Sequence, residues 1–292
     1  MINEILEDQW LLTKRIGKGA FSFMFIAENL VHDGMIAAVK VLPKASSSSV
    51  LRWEIETLKA LKKIATVPRF ISSGQHFPIM PQPAGQKDFD GTLEKFDYII
   101  MEYLGGEDMS KLRDRLRSKH GFISVPIAVY LSLQILSSLK DLHDVGYVHR
   151  DIKPANFVRR SQFSTQFCVV DFGLAKLHRD RFGKVRTERP MAGFRGTRAY
   201  ASPHAHNLAD LCPRDDLYSL FIVFIDLLCG KLPWTEANRA KDNDMVKSTK
   251  QEYLVDHVES MAEWVLHQLK QIDDRLSSVG TFLLSVIVML SY

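Results

Sequence analysis

The chain has 292 residues, 46% hydrophobic and 25% charged, with a formal net charge of +4. That is an ordinary soluble composition with apolar material for a sizeable core, in one large domain or two lobes around a cleft, and it carries no internal repeat or long disordered tract. Cys168, Cys212 and Cys229 are too scattered for a disulfide framework or a metal site, and read as reduced thiols of a cytoplasmic or nuclear protein. The acidic start, Met1 to Asp8, lacks the basic and apolar regions of a secretory signal. The late apolar run Thr281 to Leu290 is shorter than the about 20 residues a bilayer requires. The mild positive charge suits acidic partners without indicating nucleic acid. A monomer without nucleic-acid or membrane partners is expected.

Taken in order, Trp10–Leu12, Phe23–Ala27 and Met35–Leu42 read as three strands. Ser46 to Ser49 is a polar joint and a plausible helix cap. From Val50 to Ile64, Leu51, Ile55, Leu58 and Leu61 recur at helical spacing. The prolines and glycine of His76 to Gln86 predict a loop, and Tyr98–Met101 another strand. Leu104-Gly105-Gly106 breaks the pattern and marks the boundary between lobes 1–104 and 105–292. Beyond it Val125–Val145, Arg214–Cys229 and Val255–Ile272 read as helices, and Lys111, Arg113, Arg115, Arg117 and Lys119 as a solvated helix face. A strand-rich first third and a helical remainder predict an α+β, two-lobed protein.

Four groups carry the chemistry. Ile16, Gly17, Lys18, Gly19, Ala20, Phe21 and Ser22, with Met24 beyond, lie between two predicted strands. Glycines there let backbone amides approach a triphosphate, although a tight hairpin reads equally well from so short a motif. Lys40 stands on an apolar strand and Glu54 fourteen residues later on the next helix. Paired, they would hold the α and β phosphates, whereas Glu56 would face away as a surface charge. Met101, Glu102 and Leu104 join the lobes, where backbone groups can bond an adenine edge while Met24, Ala38 and Val158 enclose the ring.

The fourth group is His149-Arg150-Asp151-Ile152-Lys153-Pro154-Ala155-Asn156-Phe157, followed by Asp171-Phe172-Gly173. Asp151 can accept a proton from a hydroxyl, and Lys153 can neutralise the moving phosphoryl group. Asn156 and Asp171, fifteen positions apart, can bind magnesium. Asp216, opening an apolar helix, reads as an anchor for the catalytic-loop backbone. His143, His149 and Trp234 read as packed residues.

These motifs resemble eukaryotic protein kinases across nearly the whole chain. Gly196-Thr197-Arg198-Ala199-Tyr200-Ala201-Ser202, where most kinases carry Ala-Pro-Glu, is similar to the casein kinase 1 superfamily. Ala192–Thr197 and Asp215–Phe221 resemble the tau-tubulin kinase branch. The resemblance implies one two-lobed kinase domain, with a β-rich ATP-binding N-lobe and a helical C-lobe. The implied activity is Mg2+- and ATP-dependent transfer to protein serine or threonine. A catalytically silent scaffold and a nucleotide-binding regulator are the alternatives. Three departures stand out: Ser22 replaces a glycine, Ala199 stands where the family's phosphate-reading arginine does, and the chain stops about where the family continues into a last helix. The basic segment Arg179 to Arg198 favours acidic or phosphorylated substrates, with preference for primed ones left open.

Overall fold

A computed structural model describes residues 1–19, 22–43, 48–77 and 95–272. Backbone contacts divide the chain into two units. The first is Met1–Gly106 together with Arg159–Gly173; the second is Glu107–Val158 with the chain from Leu174 on. The boundary read at Leu104 thus falls two residues later, and a segment from far along the chain joins the first unit.

Strands β1 (Ile5–Leu6), β2 (Trp10–Lys18), β3 (Phe23–Asn29), β4 (Ile36–Pro43), β5 (Phe70–His76) and β6 (Phe96–Glu102) form one antiparallel sheet in the order β1-β2-β3-β4-β6-β5. Alternation divides its faces. Phe25, Ala27, Ala37, Val39, Val41, Phe96, Tyr98 and Ile100 pack into a core with Leu6, Trp10 and Leu12. Helix α1 (Ser48–Ala60) lies against β5 and β6. It ends four residues before the expected Ile64, in a turn through Leu61–Lys63. Ser46, Ser47 and Pro78–Gln86 lie outside the described residues.

Segment 159–173 reaches the first unit through backbone bonds. The amides of Gly105 and Gly106 donate to the carbonyls of Arg160 and Arg159, and Val169 donates to Thr66. Arg160 also pairs with Glu102 and donates to the Ala65 carbonyl. A side chain at Gly106 would put its Cβ 2.6 Å from the Arg159 carbonyl oxygen, so this crossing needs glycine.

The rest of the chain carries α2 (Met109–His120), α3 (Val125–Asp144), β7 (Tyr147–Val148), β8 (Phe157–Arg159), β9 (Phe167–Val169), β10 (Lys176–Leu177), α4 (Pro203–His206), α5 (Pro213–Cys229), α6 (Thr235–Arg239), α7 (Asn243–Gln251), a π-helical turn at Glu252–Asp256, and α8 (Val258–Ile272). In α3, Ala128, Leu131, Ile135, Ser138, Leu139 and Leu142 are buried at helical spacing, and the helix packs on α5. By length and composition α3 is long and apolar enough to cross a membrane, the one such helix among the described residues. In α5, the Cys212 amide donates to Asp215 Oδ2 at 2.8 Å, and Gly230 closes the helix at φ 76°.

Helix α2 departs from the expected solvated face. Lys111 and Arg115 are exposed, whereas Arg113 turns inward to Asp226. Arg117 donates to the Asp226 and Leu227 carbonyls at 2.8 and 3.0 Å. Residues two apart do not share a helix face; Arg113 and Arg117, four apart, do.

Candidate active site

The first unit gathers the residues around Lys40. Met24 and Lys40 are register partners, as are Ala38 and Met101. Ala38 and Lys40 are two residues apart on one strand, so all four share the sheet face opposite the core cluster. Four candidate nucleotide residues from three strands are thereby brought together. Gly17 pairs with Met24, where an added Cβ would lie 3.4 Å from the Met24 Cβ. The Gly19 amide donates to the Ser22 carbonyl at 2.7 Å, turning the chain from β2 towards β3. Ile16 and Lys18 flank Gly17 on β2, while Ala20 and Phe21 lie outside the described residues.

Lys40 Nζ donates to both Glu54 oxygens at 2.8 Å and to Asp171 Oδ1 at 3.0 Å. Glu54 is buried, and Lys40 nearly so. Burial alone would lower the Lys40 pKa, but Glu54 and Asp171 outweigh it and raise the ammonium above its ordinary value. Burial pushes the Glu54 carboxyl up against the pull of Lys40. Glu56 is exposed and pairs with Lys59. The Glu102 side chain is occupied by Arg160 and the Arg69 amide, and its own amide donates to the Arg69 carbonyl. Leu104 follows β6 in irregular chain.

The second unit holds the residues around Asp151. Asp151 Oδ2 accepts from Lys153 Nζ at 2.7 Å, and Oδ1 from the Thr197 hydroxyl at 2.7 Å. Lys153 also donates to Thr197 Oγ1 at 3.0 Å, closing a triangle. Asn156 Nδ2 donates to the Asp151 carbonyl at 2.8 Å, a bond that ties the loop and uses the amide nitrogen rather than the amide oxygen. Val158, in β8, belongs to this unit, whereas Met24 and Ala38 belong to the first.

Asp216, 1% exposed, anchors the loop. It accepts from the amides of His149 and Arg150 at 2.8 Å each, and bonds His143 Nε2 at 2.9 Å. Trp234 is buried and donates to the Ala199 carbonyl. Arg150 and Asp171 hold φ near 68° and 67°, left-handed conformations that non-glycine residues adopt at a cost.

Asp171, in the first unit, offers a carboxylate, and Asn156, in the second, an amide oxygen; each is a hard oxygen donor of the kind that Mg2+ prefers. Among the described residues no cluster of three or more His, Cys, Asp or Glu offers an all-protein metal cage.

Thr197 is the site residue that the charged motifs do not announce, because it meets Asp151 from forty-six positions away. Its signal was the Gly196-Thr197 pair within the segment replacing Ala-Pro-Glu.

Residues 10–284 match the protein kinase domain. The chain belongs to that family. The chain is 36% identical over 85% of its length to a probable serine/threonine-protein kinase of Dictyostelium discoideum, covering 46% of that protein. It is 30% identical over 84% of its length to the serine/threonine-protein kinase spe-6 of Caenorhabditis elegans, covering 59% of it. It is also 30% identical over 80% of its length to casein kinase I homolog 1 of Schizosaccharomyces pombe, covering 48% of it. The chain thus spans about half the length of these curated relatives. The β-rich and helical units are those of the two-lobed kinase fold.

Proposed function

We propose that the protein transfers the γ-phosphoryl group of ATP to serine or threonine hydroxyls of proteins, and favours acceptors with acidic or phosphorylated neighbours. The observation that carries the reading is the Asp151–Lys153–Thr197 triangle. Asp151 takes the acceptor hydroxyl's proton as the new O–P bond forms. Lys153, held against Asp151, meets the charge of the transferred group. Thr197 keeps the carboxylate in one orientation. Lys40, kept cationic by Glu54 and Asp171, is the residue for the α and β phosphates. Bound Mg2+ would supply charge neutralisation across the β- and γ-phosphate oxygens, with Asp171 and Asn156 as its protein ligands. Positioning and electrostatics supply the catalysis, with little covalent chemistry required of the chain. A silent scaffold would be favoured by a missing lysine, base or metal ligand, and all are present.

The acidic preference is supported by a cavity of about 230 Å³ in the second unit. Arg113, Arg117, Lys231 and Arg239 line it, against Asp114 and Asp226. The basic segment 179–198 adds to that field. The three free thiols suit a reducing compartment such as the cytoplasm or nucleus. Placement in the tau-tubulin branch rests on the 192–197 and 215–221 motifs alone.

The test is initial-rate transfer to serine peptides with acidic or neutral flanks, by the intact protein and Lys231→Glu. The reading expects higher kcat/KM on acidic peptides and loss of that advantage in the variant. Equal rates on both peptides would remove the acidic preference.

A further inference from the structure

A buried carboxylate outside the Asp151 loop bonds two cations, Lys176 and Arg189. Asp210 is buried in the stretch between α4 and α5, its side chain 1% exposed. Its Oδ2 meets Lys176 Nζ at 2.7 Å and accepts from the Arg189 amide at 3.0 Å. Its Oδ1 accepts from Arg189 Nη2 at 2.8 Å. Burial opposes ionisation, but the bonds from Arg189 and Lys176 hold the carboxyl well below the usual range.

What these cations hold leads to the base. Lys176 lies on β10, opposite Val148 of β7, and the next residues are His149, Arg150 and Asp151. Arg150 Nε donates to the Leu174 carbonyl at 2.7 Å, tying the same strand to the catalytic loop. Its Nη1 is buried without a hydrogen-bond partner among the described residues. Burial first, then repulsion from Arg189 and Arg195, brings the Arg150 pKa down to about 10, with Asp210 and Asp216 opposing. The outer residues, Arg181 to Met191, are exposed, so little apolar packing orders them.

We propose that Asp210 is the built-in anion that orders the segment Lys176–Arg195 and positions the catalytic loop, so that no phosphoryl group need be added to that segment. Kinases commonly order this kind of segment by phosphorylation opposite arginines. Here a carboxylate from the chain itself already joins Lys176 and Arg189. Thr187 is the sole hydroxyl residue between Lys176 and Arg195, and nothing around it demands modification. Asp210 is a positioning residue, acting through Lys176, Arg189 and the strand that leads to Asp151.

The activity arm of the test rests on the kinase reading; the binding arm does not. In Asp210→Ala, Lys176 and Arg189 lose their counter-charge. Inorganic phosphate should then raise its melting temperature in a concentration-dependent way, by more than it raises that of the intact protein. No such difference overturns the proposal. In the activity arm, Asp210→Asn should lower kcat about ten-fold or more, with little change in the KM for ATP and partial recovery in phosphate. Asp210→Glu, which keeps the charge, should retain most of the activity. Loss in Asp210→Asn that phosphate leaves untouched would mark a merely structural role and overturn the proposal. Thr187→Ala gives a readout independent of any Asp210 variant: intact kcat is expected, and its collapse would show that the segment needs a phosphoryl group after all.

Discussion

Lys40 bonds two carboxylates from different parts of the first unit, Glu54 from α1 and Asp171 from the segment that rejoins it. Removing it should damage folding and chemistry separately. Lys40→Met leaves Glu54 buried without its cation, which costs about 3–5 kcal/mol of stability by chemical denaturation. In the fraction that stays folded, kcat should fall by about 10²–10³, the loss typical of deleting one preorganised charge from a transferring site. A folded Lys40→Met variant with unchanged kcat would contradict the role. His206 makes a pH prediction. Burial, then Lys250, lowers its pKa to about 4 from 6.5. As pH falls through 6.5 the unfolded chain takes up the proton first, so stability is lost progressively down to pH about 4 and no further below it. Because His206 is only partly buried, the loss is a fraction of the full linkage value of about 1.4 kcal/mol per unit. His206→Gln should flatten the denaturation free energy across that range relative to the intact protein. At this scale the charged motifs were legible, since Lys40 and Glu54 stand at a strand-to-helix spacing. Thr197, Asp210 and the inward Arg113 were not, because their partners lie forty-six, twenty-one and one hundred and thirteen positions away.

Strands β2, β3, β4 and β6 were readable because one buried face imposes a two-residue period on apolar positions. β5 was missed: Phe70–His76 carries two serines and a glycine and sits at the sheet edge, pairing only with β6. β1 is two residues long, too short for any period. Helices α3 and α5 were legible to within a residue or two because each buries a stripe. α1 stops at Ala60 although Leu61 continues its apolar pattern; Leu61 is buried in the following turn. Segment 159–173 shows that backbone pairing can carry a stretch into a unit that its sequence neighbourhood does not suggest. Gly106 makes that crossing possible. Gly106→Ala would drive a Cβ to 2.5 Å from the Arg159 Cβ and 2.8 Å from the Ser161 carbonyl oxygen. Backbone rather than a flexible tip must then move, so we expect about 1–3 kcal/mol of destabilisation in urea unfolding. Unchanged stability would show that the crossing is looser than described.

Over the whole molecule the work is divided between the two units. The first gathers Met24, Ala38, Lys40, Glu54, Met101 and Asp171; the second gathers Asp151, Lys153, Asn156 and Thr197 around a loop anchored on Asp216. The motifs of each unit were readable in the sequence because each has its own spacing. The sequence did not reveal which groups steady the motifs, since an anchor such as Asp210 is recognisable only by its partners. The account turns on Asp151. The most direct measurement is transfer of radiolabelled phosphate from Mg-ATP to dephosphorylated casein, comparing the intact protein with Asp151→Asn at matched fold and nucleotide binding. We predict phosphoserine and phosphothreonine from the intact protein and near-complete loss in the variant. Equal transfer by both would contradict the assignment of Asp151 as the base.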